Sequence, residues 1–145
     1  MLKATLLSML MLPFLFPVQI SQSTSEVEIF DINEGEVIQT VPAYLNVQDE
    51  VMSYLDNITG VYKKVNPIPK NGMMVKIPLE PAYLLENAWL SSFIDEVILI
   101  FTKNEEPILL LFDDENSPHF FHFKGGTVTL LEQINVVKRG INMER

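Results

Sequence analysis

His119 and His122 are the first residues in this chain whose type and spacing suggest chemistry. On a helix, two histidines three apart share a face and can hold one metal ion. Their segment, Pro118 to Lys124, reads PHFFHFK and has the look of a strand, in which side chains alternate. His119 then goes with Phe121 and Phe123, and His122 with Phe120 and Lys124. The expectation is one packed and one solvent-facing imidazole, with no shared metal.

Asp113-Asp114-Glu115-Asn116-Ser117 offers oxygens at alternate positions, as a calcium loop does. Pro118 stands where an EF-hand needs glycine, and Lys124 where it needs the distal glutamate. A hairpin turn is the better reading. Asp95 and Glu96 adjoin a hydrophobic run and are the nearest thing to a carboxylate pair for acid–base work. Neighbours on a strand point opposite ways, so they should not converge. Trp89, the single tryptophan, reads as a core residue rather than a sugar platform. Lys63, Lys64, Lys70 and Lys76 form the one cationic stretch, and a candidate site for an anionic polymer or head group if they converge. Asn57-Ile58-Thr59 matches the N-glycosylation pattern.

No catalytic motif, zincin helix or phosphate loop is present. The absence of cysteine excludes disulfides, thiolate metal sites and thiol catalysis. No cofactor is expected.

Charge narrows the partners. Ten Lys and Arg against nineteen Asp and Glu give a formal −9 over 145 residues. Residues 26–62 hold eight acids and no Lys or Arg, and residues 77–115 hold nine acids and only Lys103. Such a chain repels phosphate backbones, so nucleic acid is not an expected partner.

The first 25 residues read separately. Lys3 precedes an apolar stretch from Ala4 to Ile20, followed by Ser21-Gln22-Ser23-Thr24-Ser25. A cationic start, apolar middle and small-residue exit make a secretory signal peptide, with cleavage expected after Ser23 and Ser25 as a later alternative. Pro13 and Pro17 disfavour a straight spanning helix, although a retained anchor is the alternative. Residues 26–145 are then one globular domain.

Its periodicity predicts an α+β fold. Val27 and Ile29 alternate with acids along a first strand. Asn33-Glu34-Gly35 makes a hairpin loop, and Val37 to Val41 returns. A helix at about 46–58, capped by Asn46, carries Val47, Val51, Tyr54 or Leu55, and Ile58 as an apolar stripe. Val61–Val65 and Met73–Ile77 look like strands joined by a Pro-rich loop. Residues 82–94 fit either a helix, with Leu85, Trp89 and Phe93 aligned, or an irregular segment. EVILIFTK at 96–103 and PILLLFD at 107–113 suit strands buried on both faces. Pro118 to Lys124 is the next strand. A short C-terminal helix follows from a capping box at Thr129, with Val137 on its apolar face and Gly140 as its stop. The sum is an antiparallel sheet, a hairpin and then a meander, with one packed helix and a short C-terminal one.

The export signal, the FDINEGEVIQTVP run at 30–42 and the IDEVILIF strand entry at 94–101 together resemble small exported proteins of unknown function from spore-forming Gram-positive bacteria. The resemblance implies a location outside the cytoplasm and brings no catalytic residues. The expectation is therefore a small exported, non-catalytic binding or accessory domain, secreted or at the cell envelope. Its partner would be another envelope protein or anionic wall polymer, and a membrane only if residues 4–20 are retained. The rivals are a small carboxylate-based hydrolase and a membrane-tethered sensory or accessory domain.

Overall fold

A computed structural model describes residues 25–135. The expected leader, and the part of the expected last helix at Val137 and Gly140, lie outside the described residues.

The alternation of Val27 and Ile29 with acids produces β1 (Glu26–Asp31), paired antiparallel with β2 (Glu36–Pro42). Both apolar residues are fully buried. Asp31 fixes the turn, its Oδ1 accepting from the Asn33 and Glu34 N–H groups. Gly35 takes φ 71°, a region open to glycine without a Cβ penalty.

Helix α1 spans Leu45–Asp56, slightly earlier than the stripe suggested. Asn46 is not its cap. The cap is Tyr44, without a side-chain bond, and its carbonyl accepts from the Val47 and Gln48 N–H groups. Asn46 falls inside the first turn and is exposed. Gln48 ties the helix to its surroundings instead: its Nε2 donates to the Ala43 carbonyl and its Oε1 accepts from the Glu80 N–H.

Strand β3 (Ile58–Val61) pairs with β7 (Pro118–Phe123) at one edge of the sheet. The expected pairing of 61–65 with 73–77 does not form. Residues 62–72, with Pro67 and Pro69, instead carry the chain across the sheet to β4 (Met73–Glu86). Strands β4, β5 (Ser91–Phe101), β6 (Ile108–Phe112) and β7 form the expected meander. The seven strands lie in the order β2-β1-β4-β5-β6-β7-β3, all neighbours antiparallel. With two helices against one such sheet, the fold is α+β.

One face of the sheet carries the main core. Val75, Ile77, Val97, Leu99, Leu109, Leu111 and Phe121 meet Val51, Tyr54 and Leu55 of α1 and Leu130 of α2 (Val128–Gln133). Thr127 caps α2 without a side-chain bond, and Thr129 lies within the helix. The capping box therefore does not operate. The second face has a smaller core of Ile100, Ile108 and Leu110, flanked by Tyr62, Met74 and Phe120. This is why β5 and β6 read as continuous apolar runs: both of their faces are covered. Among the described residues, no helix is long and apolar enough to cross a membrane.

Candidate functional site

The ambiguous stretch at 82–94 is neither helix nor irregular. It is a hairpin arm. The register of β4 against β5 breaks between Pro78 and Tyr83, then resumes with Tyr83↔Ile94, Leu84↔Phe93, Leu85↔Ser92 and Glu86↔Ser91. Strand β1 pairs with β4 only from Met73 to Lys76, and β6 pairs with β5 only from Val97 to Ile100. The arm therefore runs on past its neighbours. Its turn is held by Asn87, whose Oδ1 accepts from the Trp89 and Leu90 N–H groups at 2.8 and 2.9 Å.

Period-two alternation gives the arm two unlike faces. Leu85, Ser92 and Ile94 point inward and are buried. Ala82, Leu84 and Glu86 on β4, with Ser91, Phe93 and Asp95 on β5, are all exposed. Leu84 and Phe93 face each other across the strands and are 47% and 58% exposed, while Trp89 at the tip is 45% exposed. Directly opposed apolar pairs on a sheet normally bury area against a third element. Among the described residues, no third element covers this pair. Sequence reasoning missed it by aligning Leu85, Trp89 and Phe93 as a helical stripe. The usable signal was the alternation of Tyr83 and Leu85 with Leu84 and Glu86 around a turn-forming Asn87.

The titratable candidates are divided among separate places. His119 and His122 point to opposite faces, as the strand pattern predicts. The His119 ring stacks on Phe121 at 6.3 Å and 7°, and His122 lies edge-on to Tyr62 at 5.1 Å. Asp113 and His119 do meet, with Oδ2 to Nε2 at 2.8 Å. The other oxygen of Asp113 accepts from the Glu115 and Ser117 N–H groups, both at 2.9 Å. The His119 hydrogen bond, followed by that from Ser117, holds the Asp113 carboxyl below the usual carboxylate range. Both oxygens are thus engaged in shaping the β6–β7 turn, which supports the hairpin-turn reading of 113–117. Among the described residues, no three metal-ligating side chains gather.

The four lysines do not converge as free cations. Lys64 pairs with Glu105, which also accepts from the Tyr62 hydroxyl at 2.9 Å. Lys76 pairs with Glu28 across β1 and β4 at 2.6 Å. Lys63 and Lys70 are exposed on the crossing segment. Beneath that segment, Tyr62, Pro67, Ile100, Thr102 and Ile108 line a space of about 40 Å³. That is far below the size of a small-molecule site.

Asp95 and Glu96 are not simply on opposite sides. Ile94 and Val97 both enter the main core, so the strand bends between them and leaves Asp95 exposed and Glu96 half-buried. Burial raises the Glu96 carboxyl above its usual range, Asp95 and Glu28 push the same way, and Lys76 opposes. A raised folded-state value means that the unfolded chain gives up the proton first. The stability contribution is therefore full below the ordinary glutamate range and lost as pH climbs through the folded value. Glu96→Gln should accordingly be more stable than the parent at pH 7, by about 0.5 kcal/mol after allowing for solvent screening. The gap should close near pH 4. Urea unfolding at both pH values measures it, and an equal or less stable variant at pH 7 contradicts the assignment.

No family model, curated protein or solved structure matches the chain.

Proposed function

We propose that this chain is a small exported domain that acts by binding another protein of the cell envelope, without catalysis, and that the outer face of the β4–β5 arm is its binding surface. The observation that carries the reading is the bare Leu84–Phe93 pair on a hairpin whose opposite face is locked into the core. A rigid inner face holds the outer one in place, so binding loses little conformational entropy. Exposed large apolar groups grouped on one surface mark interaction sites in folded proteins. The scattered carboxylates and histidines support a non-catalytic role. The Asp113–His119 pair is the one feature favouring the hydrolase reading, and its hydrogen bonds are those of a turn.

Export rests on the sequence of the first 25 residues. The native protein should be recovered from the medium or wall fraction with Thr24 as its first residue. A full-length chain beginning at Met1 and free in the cytoplasm would overturn this reading. For the surface, Leu84→Ser/Phe93→Ser should keep the parent's circular dichroism and lose co-purification of its envelope partner. A double variant that retains the partner at the parent's level places the binding surface elsewhere.

A further inference from the structure

The charges around the arm say what kind of partner it takes. The outer face has two paired cross-strand rows. Glu86 and Ser91 form the row near the tip and Leu84 and Phe93 the next one, and Asp95 follows two residues past Phe93 on β5, with exposed Ala82 in the stretch of β4 where the register is broken. One carboxylate therefore lies on each side of the apolar pair, on opposite strands. Four residues along β5 separate Ser91, the partner of Glu86, from Asp95, or about 14 Å at 3.4 Å per residue. No Lys, Arg or His occupies any of the six positions.

Resting on the binding role proposed above, we infer that this face selects a cationic polypeptide segment in extended conformation, with an apolar side chain between two Lys or Arg residues in the pattern cation-x-apolar-x-cation. In an extended chain, residues i, i+2 and i+4 point the same way, and the two cations stand about 14 Å apart. That matches the separation of Glu86 and Asp95, with the apolar residue over Leu84 and Phe93. In a helix, the same i, i+4 spacing spans only about 6 Å and cannot reach both acids. A second copy is the wrong occupant. Face-to-face pairing would set Glu86 and Asp95 against like charges with no base at these six positions to answer them, and such juxtapositions disfavour association. Anionic polymer and anionic lipid are repelled for the same reason.

Trp89 neighbours Phe121 of the core face rather than the outer face, so binding is read by titration calorimetry. Residues 24–145 would be titrated with nine-residue peptides centred on Lys-Thr-Val-Thr-Lys, on its Gln-Thr-Val-Thr-Gln analogue and on its Glu-Thr-Val-Thr-Glu analogue. The lysine peptide should bind about ten-fold tighter than the glutamine peptide at low salt, and the glutamate peptide weakest. The lysine advantage should disappear near 1 M salt, where the Debye length is about 3 Å. Glu86→Gln/Asp95→Asn should abolish the advantage and retain the glutamine-level affinity. Leu84→Ser/Phe93→Ser should weaken every peptide. Equal affinity for the lysine and glutamine peptides overturns the charge selection, and leaves the binding role standing if Leu84→Ser/Phe93→Ser still weakens both. Tighter binding of the glutamate peptide, of an uncharged oligosaccharide, or of nothing up to about 1 mM overturns the inference. Co-purification of the envelope partner judges the binding role separately.

Discussion

Gly72→Ala is expected to cost about 3–5 kcal/mol of folding free energy, at the severe end for a single substitution. Gly72 has φ 133°, in the range that L side chains rarely adopt. A Cβ built there would lie 2.2 Å from the Phe101 carbonyl oxygen and 3.3 Å from its carbon. The clash is with backbone, so no side-chain rotation relieves it. The glycine is also held from both sides. Its N–H donates to Asn33 Oδ1 at 3.0 Å, and its carbonyl accepts from the Ile32 N–H at 3.0 Å. Moving it therefore disturbs the β1–β2 turn, the entry to β4 and the end of β5 together. Domains of this size have a total stability of about 5–15 kcal/mol. Urea unfolding followed by circular dichroism should show a large fall in midpoint. A loss under about 1 kcal/mol would mean that the junction yields more easily than its contacts imply.

Phe121→Ala should be comparably damaging, at about 3–5 kcal/mol. The ring is 1% exposed and lies on the core face of β7, with the Trp89 ring at 6.4 Å and the stacked His119 ring at 6.3 Å. Its removal opens a cavity that the flanking strands, fixed by their ladders, can close only in part. The tip of the binding arm loses its aromatic neighbour at the same time, so Trp89 emission should shift to the red in the folded variant. Phe121→Leu should recover most of the stability. It should not recover the Trp89 spectrum, because the aliphatic side chain does not restore the aromatic contact. A small stability loss with unchanged Trp89 emission would show that Phe121 neither supports the core nor reports to the arm.

These two residues differ in how much the sequence said about them. Phe121 falls in PHFFHFK, where alternation assigns it to the same side as His119 and Phe123, and the structure agrees. Gly72 follows Asn71, and the pair reads only as a turn. What makes it sensitive is the carbonyl of Phe101, twenty-nine residues away and invisible to any local pattern.

The same division runs through the whole chain. Residue type and period determined the α+β class, the first hairpin with Gly35 in its turn, the helix near 46–58 and the meander built on EVILIFTK and PILLLFD. Side-chain alternation and backbone sterics act over two to four residues, and the sequence displays them directly. They also separate His119 from His122 onto opposite faces of β7. Tertiary structure alone decided which strand lies beside which. It sent β3 to β7 instead of β4, because a four-residue strand carries no mark of its partner and the crossing segment reaches across the sheet. It turned 82–94 into an arm, because Leu85 and Ile94 gain burial only when β4 and β5 stay paired beyond the sheet. It also matched Lys64 with Glu105 and Lys76 with Glu28, removing two of four expected cations from service to a ligand. Each of these outcomes depends on groups brought together from distant parts of the chain, and local periodicity holds no information about which distant groups will meet.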